Sequence, residues 1–412
     1  MGVLDRQVSV EDFRRLARRR LPKSIFEFID GGAGQELTLN ANRTDFEKIR
    51  LLPRVLTDVS HPNVSTTLWS ETLPTPLVIS PMGSCALVRP GADIAIARAA
   101  TARGIPYTLS TMATASIEGM ARAVQGPLWF QLYVLKDFDF NRQLVRRAEE
   151  FGYSTLVVTV DLQAGGKREK DLRNGISIPL RPSARHLWEG MLHPGWSLRL
   201  LRGGLPQFEN VRGYLGDNSA GLTIAARVGG SLHAGFDWDD FRQIRDWWKG
   251  RLLVKGVLHP GDASRLGAAG ADGIWVSNHG GRQLDGAISS IDALPAIRQA
   301  LGAQVPILID SGIRTGTDII KAKARGATVA AIGRAALFGA VAGEPGVAKA
   351  LDIILDEVAT CLRLCGIPRF QEAGSEMIVQ RQDECSRLVE GGLGTENLAR
   401  RHHYHREQPE GR

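Results

Sequence analysis

"ADGIWVSNHGGRQLDG", residues 271–286, decides how this chain is read. Its first half is a short apolar run rich in β-formers, the pattern of a strand covered on both faces. Its second half packs His279, Arg282 and Asp285 among Gly280, Gly281 and Gly286. Such a strand stops at a functional edge, where glycines let the backbone turn and polar side chains face a ligand.

Runs of the same kind recur along the sequence: "PLVISPMG" (76–83), "PYTLST" (106–111), "LWFQLYV" (128–134), "TLVVTVD" (155–161), "RLLVKGV" (251–257), "DGIWVSN" (272–278), "PILIDSG" (306–312) and "VAAIGR" (329–334). Between most of them lie helical patterns such as "GADIAIARAATARG", "FNRQLVRRAEEFG" and "TDIIKAKARG", each closed by a glycine of the kind helix C-termini favour. Eight alternations of strand and helix predict the α/β class and a TIM (β/α)8 barrel. Residues before the first strand form an N-terminal helical lead, with Ser9 as a helix cap before "VEDFRRLARRR". About 90 residues separate the fourth and fifth strands, too many for one crossover, so an insertion over about 176–237 is expected. The barrel domain is placed at 1–375, and 376–412 is read as a partly disordered C-terminal tail.

With 412 residues, 43% of them hydrophobic, the chain can bury a large core in one domain. A net charge of +7 is compatible with an anionic partner, yet no nucleic-acid module is present: no paired CxxC, no basic helix followed by heptads, no RNP-like strand. Nucleic acid is therefore not an expected partner. The four cysteines, Cys85, Cys361, Cys365 and Cys385, make no disulfide framework and no metal pair, which points to a reducing compartment and a cytoplasmic location. Neither an apolar signal core nor a window of about 18 uninterrupted apolar residues occurs, so export and membrane spanning are not expected.

In a barrel of this type, chemistry gathers at the C-terminal ends of the strands. Those ends carry Met82 and Gly83, Ser110, Gln131 and Tyr133, Thr159 and Asp161, Lys255, Ser277 and His279, Asp310 and Arg314, and Gly333 and Arg334. Acid, base, cations and hydrogen-bonding groups together suit an anionic, polar cofactor. "DSGIRTGTD" and "IGRAALFG", after the seventh and eighth strands, each set glycine beside arginine where this fold usually binds phosphate. "GGAGQE" (31–36) follows a helical stretch and is not read as a dinucleotide loop.

"SNHGGRQLDG", with "LPKS", "WFQLY", "TVD", "KREKDLRN", "LVKGV" and "DSGIRTGTDIIKA", closely resembles the FMN-dependent L-2-hydroxy acid oxidising family, over roughly residues 8–375. That family includes glycolate oxidase, lactate oxidase and monooxygenase, flavocytochrome lactate dehydrogenase and mandelate dehydrogenase. "DLRNGISIPL" and "LHPGWSLRLLRGGLPQ" look closest to the membrane-associated mandelate dehydrogenase branch. The resemblance implies FMN as cofactor and oxidation of an L-(S)-2-hydroxy acid, lactate or a bulkier mandelate-like acid, to the 2-oxo acid. It implies His279 as base, a role that suits a side chain titrating near neutrality, and Asp161 as the partner that stabilises its imidazolium. Arg168 and Arg282 would clamp the substrate carboxylate, Tyr133 would contact its hydroxyl, and Lys255 would face the flavin ring where negative charge gathers. Pro81, Met82 and Gly83 match the segment along the flavin ring, and Ser110, Gln131, Thr159 and Ser277 match flavin-binding positions. Asp310, Gly312, Arg314, Gly333 and Arg334 complete the expected cofactor set. A homotetramer is the expected assembly, and no metal site is expected.

Three residues depart from the family pattern. Phe28 stands where a tyrosine usually offers its hydroxyl to the substrate carboxylate, Met112 where glycolate oxidase has tryptophan, and Gly83 where many oxidases have alanine. The last two favour a bulky substrate; Phe28 keeps open an alternative, a flavin-dependent oxidase acting on a modified peptide or natural-product intermediate. A scaffold protein without catalysis would be expected to have lost the base, its aspartate and the arginines, which are all retained. No haem-attachment motif occurs, so the electron acceptor is expected to be oxygen, a quinone or a separate carrier. Residues 176–215 interleave Arg181, Arg185, Arg199, Arg202 and Arg212 with Trp188, Trp196 and leucines. That composition suits a membrane interface, on the inner face of the plasma membrane, and equally a lid or a subunit contact. Cys361 and Cys365 read as one helical face of the core, Trp247 and Trp248 as barrel packing, and His402, His403 and His405 as a charged tail.

Overall fold

The computed structural model describes residues 2–175, 183–204, 206–215 and 230–380. Eight parallel strands close into a barrel in chain order: β1 (Leu77–Met82), β2 (Tyr107–Ser110), β3 (Leu128–Tyr133), β4 (Thr155–Thr159), β5 (Arg251–Val257), β6 (Gly273–Val276), β7 (Ile307–Ile309) and β8 (Val329–Ile332). β8 returns to β1 through Ala330↔Leu77, Ala331↔Val78 and Ile332↔Ile79. These are the eight runs read from the sequence, most of them trimmed by one to three residues at an end. The trimmed C-terminal residues have left the ladder because their backbone turns into the loops of the barrel mouth.

Inside the barrel, side chains point alternately in and out, and the inward set fills the N-terminal half completely. Val78, Trp129, Val157, Leu253, Trp275, Leu308 and Ala331 form this plug, none more than 3% exposed. A hairpin of Thr66–Leu68 and Glu71–Leu73 closes the barrel from below. Its Trp69 meets Trp129 with ring centroids 6.1 Å apart and donates to the Asp272 carbonyl at 2.8 Å. Strands of three residues carry too little alternation to be seen in the sequence.

The lead consists of α1 (Val10–Arg20), α2 (Lys23–Asp30) and α3 (Leu37–Lys48). Ser9 caps α1, its hydroxyl accepting from the Asp12 N–H at 3.1 Å. Val10, Phe13, Leu16 and Ala17 are buried on one face of it. α3 reaches over the barrel mouth, where Asn42 and Asn278 exchange two side-chain hydrogen bonds of 2.8 and 2.7 Å. Arg43 donates to the Gly312 carbonyl at 3.0 Å. Gly312 has φ +99, and a Cβ there would stand 1.8 Å from the Asn42 carbonyl oxygen, so only glycine allows the approach.

One reading of the sequence changes. The barrel domain extends past residue 375, because Ile378–Gln380 pairs antiparallel with Ile49–Leu51 and Met377 is buried. The tail histidines His402, His403 and His405 lie outside the described residues; among the described ones no cluster could hold a metal ion. The insertion contributes helices Ala184–Leu192 and Pro194–Gly203, a short turn at Arg212–Leu215, and then Trp238–Trp247, which leads into β5. Trp248 is 2% exposed and Trp247 packs at a tilt against Phe138, ring centroids 4.9 Å apart, as barrel packing requires. Cys361 and Cys365 lie buried on helix Glu344–Cys365, their sulfurs 4.0 Å apart.

Asn42→Ala should lower stability by about 1–3 kcal/mol, because it removes two of the four hydrogen bonds of the buried Asn278 amide. Urea unfolding of the holoprotein followed by tryptophan fluorescence measures the loss.

Candidate active site

His279 leaves β6 with φ +59 and is followed by Gly280 at +68 and Gly281 at +73. Three successive left-handed residues are tolerable only where the surroundings enforce them, and for histidine the conformation costs on the order of 1–3 kcal/mol. Here the enforcement is explicit. The His279 N–H donates to the Ser277 hydroxyl at 3.1 Å, Gly280 N–H to the Ser311 hydroxyl at 3.0 Å, and Gly281 N–H to the Asn278 side chain at 3.1 Å. The ring is thereby turned over the mouth.

Its two nitrogens have different partners. Nδ1 lies 2.9 Å from Asp161 Oδ1, so it carries the proton and donates to the carboxylate. Nε2 lies 3.1 Å from the Tyr133 hydroxyl and is left as the acceptor in the neutral ring. Burial, reinforced by Asp161, pushes the Tyr133 phenol well up and keeps it protonated. Asp161 Oδ2 is buried without a partner, so that carboxylate has capacity to stabilise a positive imidazolium. Asp161 fits because Gly256 lacks a side chain: with φ +102, a Cβ there would stand 2.6 Å from the Asp161 Cβ. The same residue sits in the register shift of β5 against β6 that ends Lys255 toward the mouth.

Positive charge surrounds this chain of groups. Lys255 Nζ lies 2.6 Å from Ser277 Oγ and 3.0 Å from Asp310 Oδ2, above the Trp275 ring at 5.7 Å. Burial alone would raise the Asp310 carboxyl, yet Lys255 and the Ser277 and Ser311 hydroxyls hold it below its usual range. Arg282 donates to the Phe28 and Gly31 carbonyls at 2.8 and 2.9 Å, and burial together with Arg168 pulls its guanidinium down to about 9. Phe28 stands between the two cations, with the Arg282 and Arg168 guanidinium carbons 5.3 and 5.8 Å from its ring centre. Arg168 Nε is buried and unpartnered, 3.5 Å from Asp171. Beyond β7 and β8, burial and mutual repulsion with Arg334 pull Arg314 down to about 9, and burial lowers Arg334 as well.

The residues singled out in the sequence thus converge. Phe28, Pro81, Met82, Gly83, Tyr133, Thr159, Arg168, Lys255, His279, Arg282, Asp310, Gly312, Arg314, Gly333 and Arg334 all line one cavity. Ser110, Gln131, Asp161 and Ser277 stand one layer behind. Ser110 Oγ donates to Gln131 Oε1 at 2.9 Å, leaving Gln131 Nε2 buried and unpartnered, and the Thr159 hydroxyl is unpartnered too. These orphaned groups, together with two buried arginines beside Gly312 and Gly333, fit a flavin mononucleotide: polar edges for the ring and cations for the phosphate. Gly83 and Met112 do not act as two separate enlargements. A Cβ on Gly83 would lie 3.0 Å from the Met112 carbonyl oxygen, so Met112 takes up the space the glycine leaves.

Sequence reading missed part of the wall. Phe208 and Leu232 line the cavity from the insertion, and Asp171, raised chiefly by burial, stands beside Arg168. Asn210 anchors this part of the insertion, accepting from the Ile117 N–H at 2.8 Å and donating to the Ala115 carbonyl at 3.2 Å. The lone signal for it was "PQFEN", an aromatic next to an asparagine in an otherwise basic stretch.

Comparison with known proteins agrees with this geometry. A profile for FMN-dependent dehydrogenases matches residues 17–380. The crystal structure of a monotopic membrane protein, (S)-mandelate dehydrogenase, superposes with a TM-score of 0.86 at 40% identity, covering 91% of this chain and 100% of that one. A soluble mutant of the membrane-associated (S)-mandelate dehydrogenase from Pseudomonas putida gives 0.79 at 38% identity, covering 90% and 99%. Mandelate oxidase with (S)-4-hydroxymandelic acid gives 0.79 at 33% identity, covering 90% and 98%. The barrel, its mouth and these matches together make the chain a member of the FMN-dependent dehydrogenase family, an oxidoreductase of 2-hydroxy acids with FMN as its cofactor.

Proposed function

We propose that the protein oxidises an (S)-2-hydroxy acid with a bulky or aromatic side chain, mandelate-like, to the 2-oxo acid while docked on a membrane surface. The observation that carries this reading is the line Tyr133–His279–Asp161, faced by two guanidiniums that lack full neutralisation. Arg282 and Arg168 bind the substrate carboxylate, whose charge relieves their mutual repulsion. Tyr133 and His279 Nε2 hold the substrate hydroxyl between them. His279 takes the hydroxyl proton at Nε2, and Asp161 stabilises the resulting imidazolium through Nδ1. FMN, when bound, supplies the two-electron acceptor. Lys255, ion-paired with Asp310 at 3.0 Å, sits where it offsets the negative charge that reduction brings. Phe28, Phe208, Leu232 and Met112 offer an apolar wall suited to an aryl group better than to hydrogen or methyl.

The membrane part rests on the helix pair Ala184–Leu192 and Pro194–Gly203. The first helix is turned inside out: its one buried residue is Glu189, which accepts from the Ser24 N–H at 3.0 Å and from Arg185 at 3.0 Å. Leu187, Trp188, Met191 and Leu192 face outward at 59–65% exposure, joined by Leu198 and Leu201 of the second helix. Leaving six large apolar side chains in water forgoes roughly 1.5–3 kcal/mol for each one fully buried, which a bilayer interface would recover. No described helix is long and apolar enough to cross a membrane, so the contact is peripheral. Two of the similar structures are of a monotopic membrane protein and of a soluble mutant of a membrane-associated enzyme, which supports the reading and favours a membrane quinone over oxygen as acceptor.

Anaerobic mixing of the holoprotein with lactate, mandelate and longer aryl hydroxy acids tests the substrate class: mandelate should bleach the flavin fastest, and a panel that leaves it oxidised would overturn the proposal. His279→Gln should retain FMN but slow flavin reduction by about 100- to 10,000-fold, the range for losing a general base. Phe28→Tyr should tighten binding of small hydroxy acids such as lactate by about tenfold, the worth of one added hydrogen bond to a charged group, read as a lower Kd in flavin difference spectra. Replacing Trp188 and Leu192 together by Glu should leave the flavin spectrum unchanged and move the protein from the vesicle pellet to the supernatant.

A further inference from the structure

Three arginines that the reaction does not use meet at the root of the exposed helix pair. The second helix, Pro194–Gly203, is seated on the turn after β1: Trp196 donates to the Leu87 carbonyl at 2.8 Å, and a Cβ on Gly203 would stand 2.5 Å from Pro90 Cβ. Arg89 leaves the chain between those two contacts. A Cβ on Gly343 would lie 3.5 Å from its Cζ, which sets the guanidinium at the N-terminus of the 22-residue helix Glu344–Cys365. Arg199 comes from the second helix itself, and its Nε is shut off from solvent without a hydrogen-bond partner. Arg20 ends α1. Burial, then Arg89 and Arg20, pull the Arg199 guanidinium below its usual range, and no carboxylate offsets them.

Several other half-buried arginines on this protein are matched by acids, Arg14 by Asp30, Arg103 by Asp352, Arg147 by Glu118 and Arg245 by Asp272, and others, such as Arg43 and Arg298, donate to backbone carbonyls. Arg20, Arg89 and Arg199 form no ion pair with any described residue; even Glu344, one residue from Gly343, makes none. Like charges gathered next to a helix N-terminus and partly out of water are unfavourable unless an anion joins them. Leu198 and Leu201 flank Arg199 on the outward-facing helix, which puts the cluster at head-group depth once that helix meets a bilayer.

We propose that Arg20, Arg89 and Arg199 form a phosphate site, separate from the cavity, that takes the phosphodiester of an anionic phospholipid head group when the helix pair docks. The chemistry of the site stands on the arginines alone; the source of the phosphate rests on the membrane reading above. Each guanidinium offers a planar fork of donors matched to phosphate oxygens, and the site would convert a loose apolar contact into an oriented one.

The test uses the full-length holoprotein and two readouts. Sedimentation compares vesicles of phosphatidylcholine with vesicles containing one third phosphatidylglycerol, and thermal melting is run with and without inorganic phosphate. The parent should prefer the anionic vesicles, and Arg89→Gln and Arg199→Gln should each cut that preference by about fivefold or more, as expected for one arginine at an anionic surface. Arg202→Gln, an exposed arginine of the same helix outside the cluster, should cut it less, and all three should keep the flavin and turnover with a soluble dye acceptor. Equal effects of all three variants, with no stabilisation by phosphate, would mean diffuse surface charge and overturn the site. Loss of binding to neutral vesicles in Arg89→Gln and Arg199→Gln would assign those arginines to holding the helices and overturn it as well. Stabilisation by phosphate that both variants abolish, without any preference among vesicles, would uphold the site and replace the lipid by free phosphate. A parent that binds neither vesicle sinks the membrane reading, while the melting experiment still decides the site.

Discussion

The barrel mouth is built around buried positive charge that the protein does not fully neutralise. Lys255 has Asp310 as a direct ion pair, but Arg282, Arg314 and Arg334 make none with a described residue: they donate to backbone carbonyls and feel carboxylates such as Asp171 and Asp30 only at a distance. Taking cations out of water costs several kcal/mol each unless an opposite charge accompanies them. The fold tolerates the imbalance because both of its ligands are anions. On the proposed reading, Arg314 and Arg334 would hold the FMN phosphate, and Arg168 and Arg282 would hold the carboxylate of the hydroxy acid. Strength of ligand binding and cost of the empty site are therefore two sides of one arrangement, and bound FMN stabilises the folded chain by mass action.

Holding those charges in place depends on a backbone that would not hold itself. His279, Gly280 and Gly281 run left-handed, and the local hydrogen bonds to Ser277 and Asn278 hold that turn only in part. The loop is fixed from outside, by Asn42 of the lead helix against Asn278 and by Ser311 of the next loop against Gly280. The lead therefore does more than extend the chain ahead of the barrel: it closes the site, and through Phe28 it also supplies the ring between the two guanidiniums. Phe28 adds apolar surface between the two guanidiniums and brings no hydroxyl, so on the proposed reading the arginines alone hold the carboxylate.

The insertion between β4 and β5 divides its labour. Its C-terminal part, with Phe208 and Leu232, walls the cavity and is tied to the barrel by Asn210 and by a bridge between Leu135 and Leu232. Its helix pair looks the other way and is held by polar contacts on the inside, the reverse of an ordinary surface helix. The choice between lid and membrane contact posed by its composition is thus not exclusive: one segment can line the pocket while its neighbour meets an interface.

Much of this was readable in the chain itself. Eight apolar runs with glycine-punctuated helices between them specify a barrel because each period and each stop signal is local, and the strand-end rule then selects the polar part of the cavity lining, Tyr133, Lys255, His279, Asp310, Arg314 and Arg334 among it. His279, Asp161, Lys255, Arg314 and Arg334 could be named for the same reason, since each stands at or just past the end of a buried run, whereas Arg168 and Arg282 were named through the family resemblance. What remained hidden depends on contacts between segments far apart in sequence. The three-residue strands at 49–51 and 378–380 have no pattern of their own and exist only as a pair. Gly256 looks like any strand glycine until Asp161 is set against it, and Gly312 until Asn42 is. The Arg20, Arg89 and Arg199 cluster joins three segments up to 179 positions apart, counted from residue 20 to residue 199. Local sequence determines periodicity and turns; tertiary structure alone decides which charges meet, and which are left without a counterion, because that is settled by distance in space.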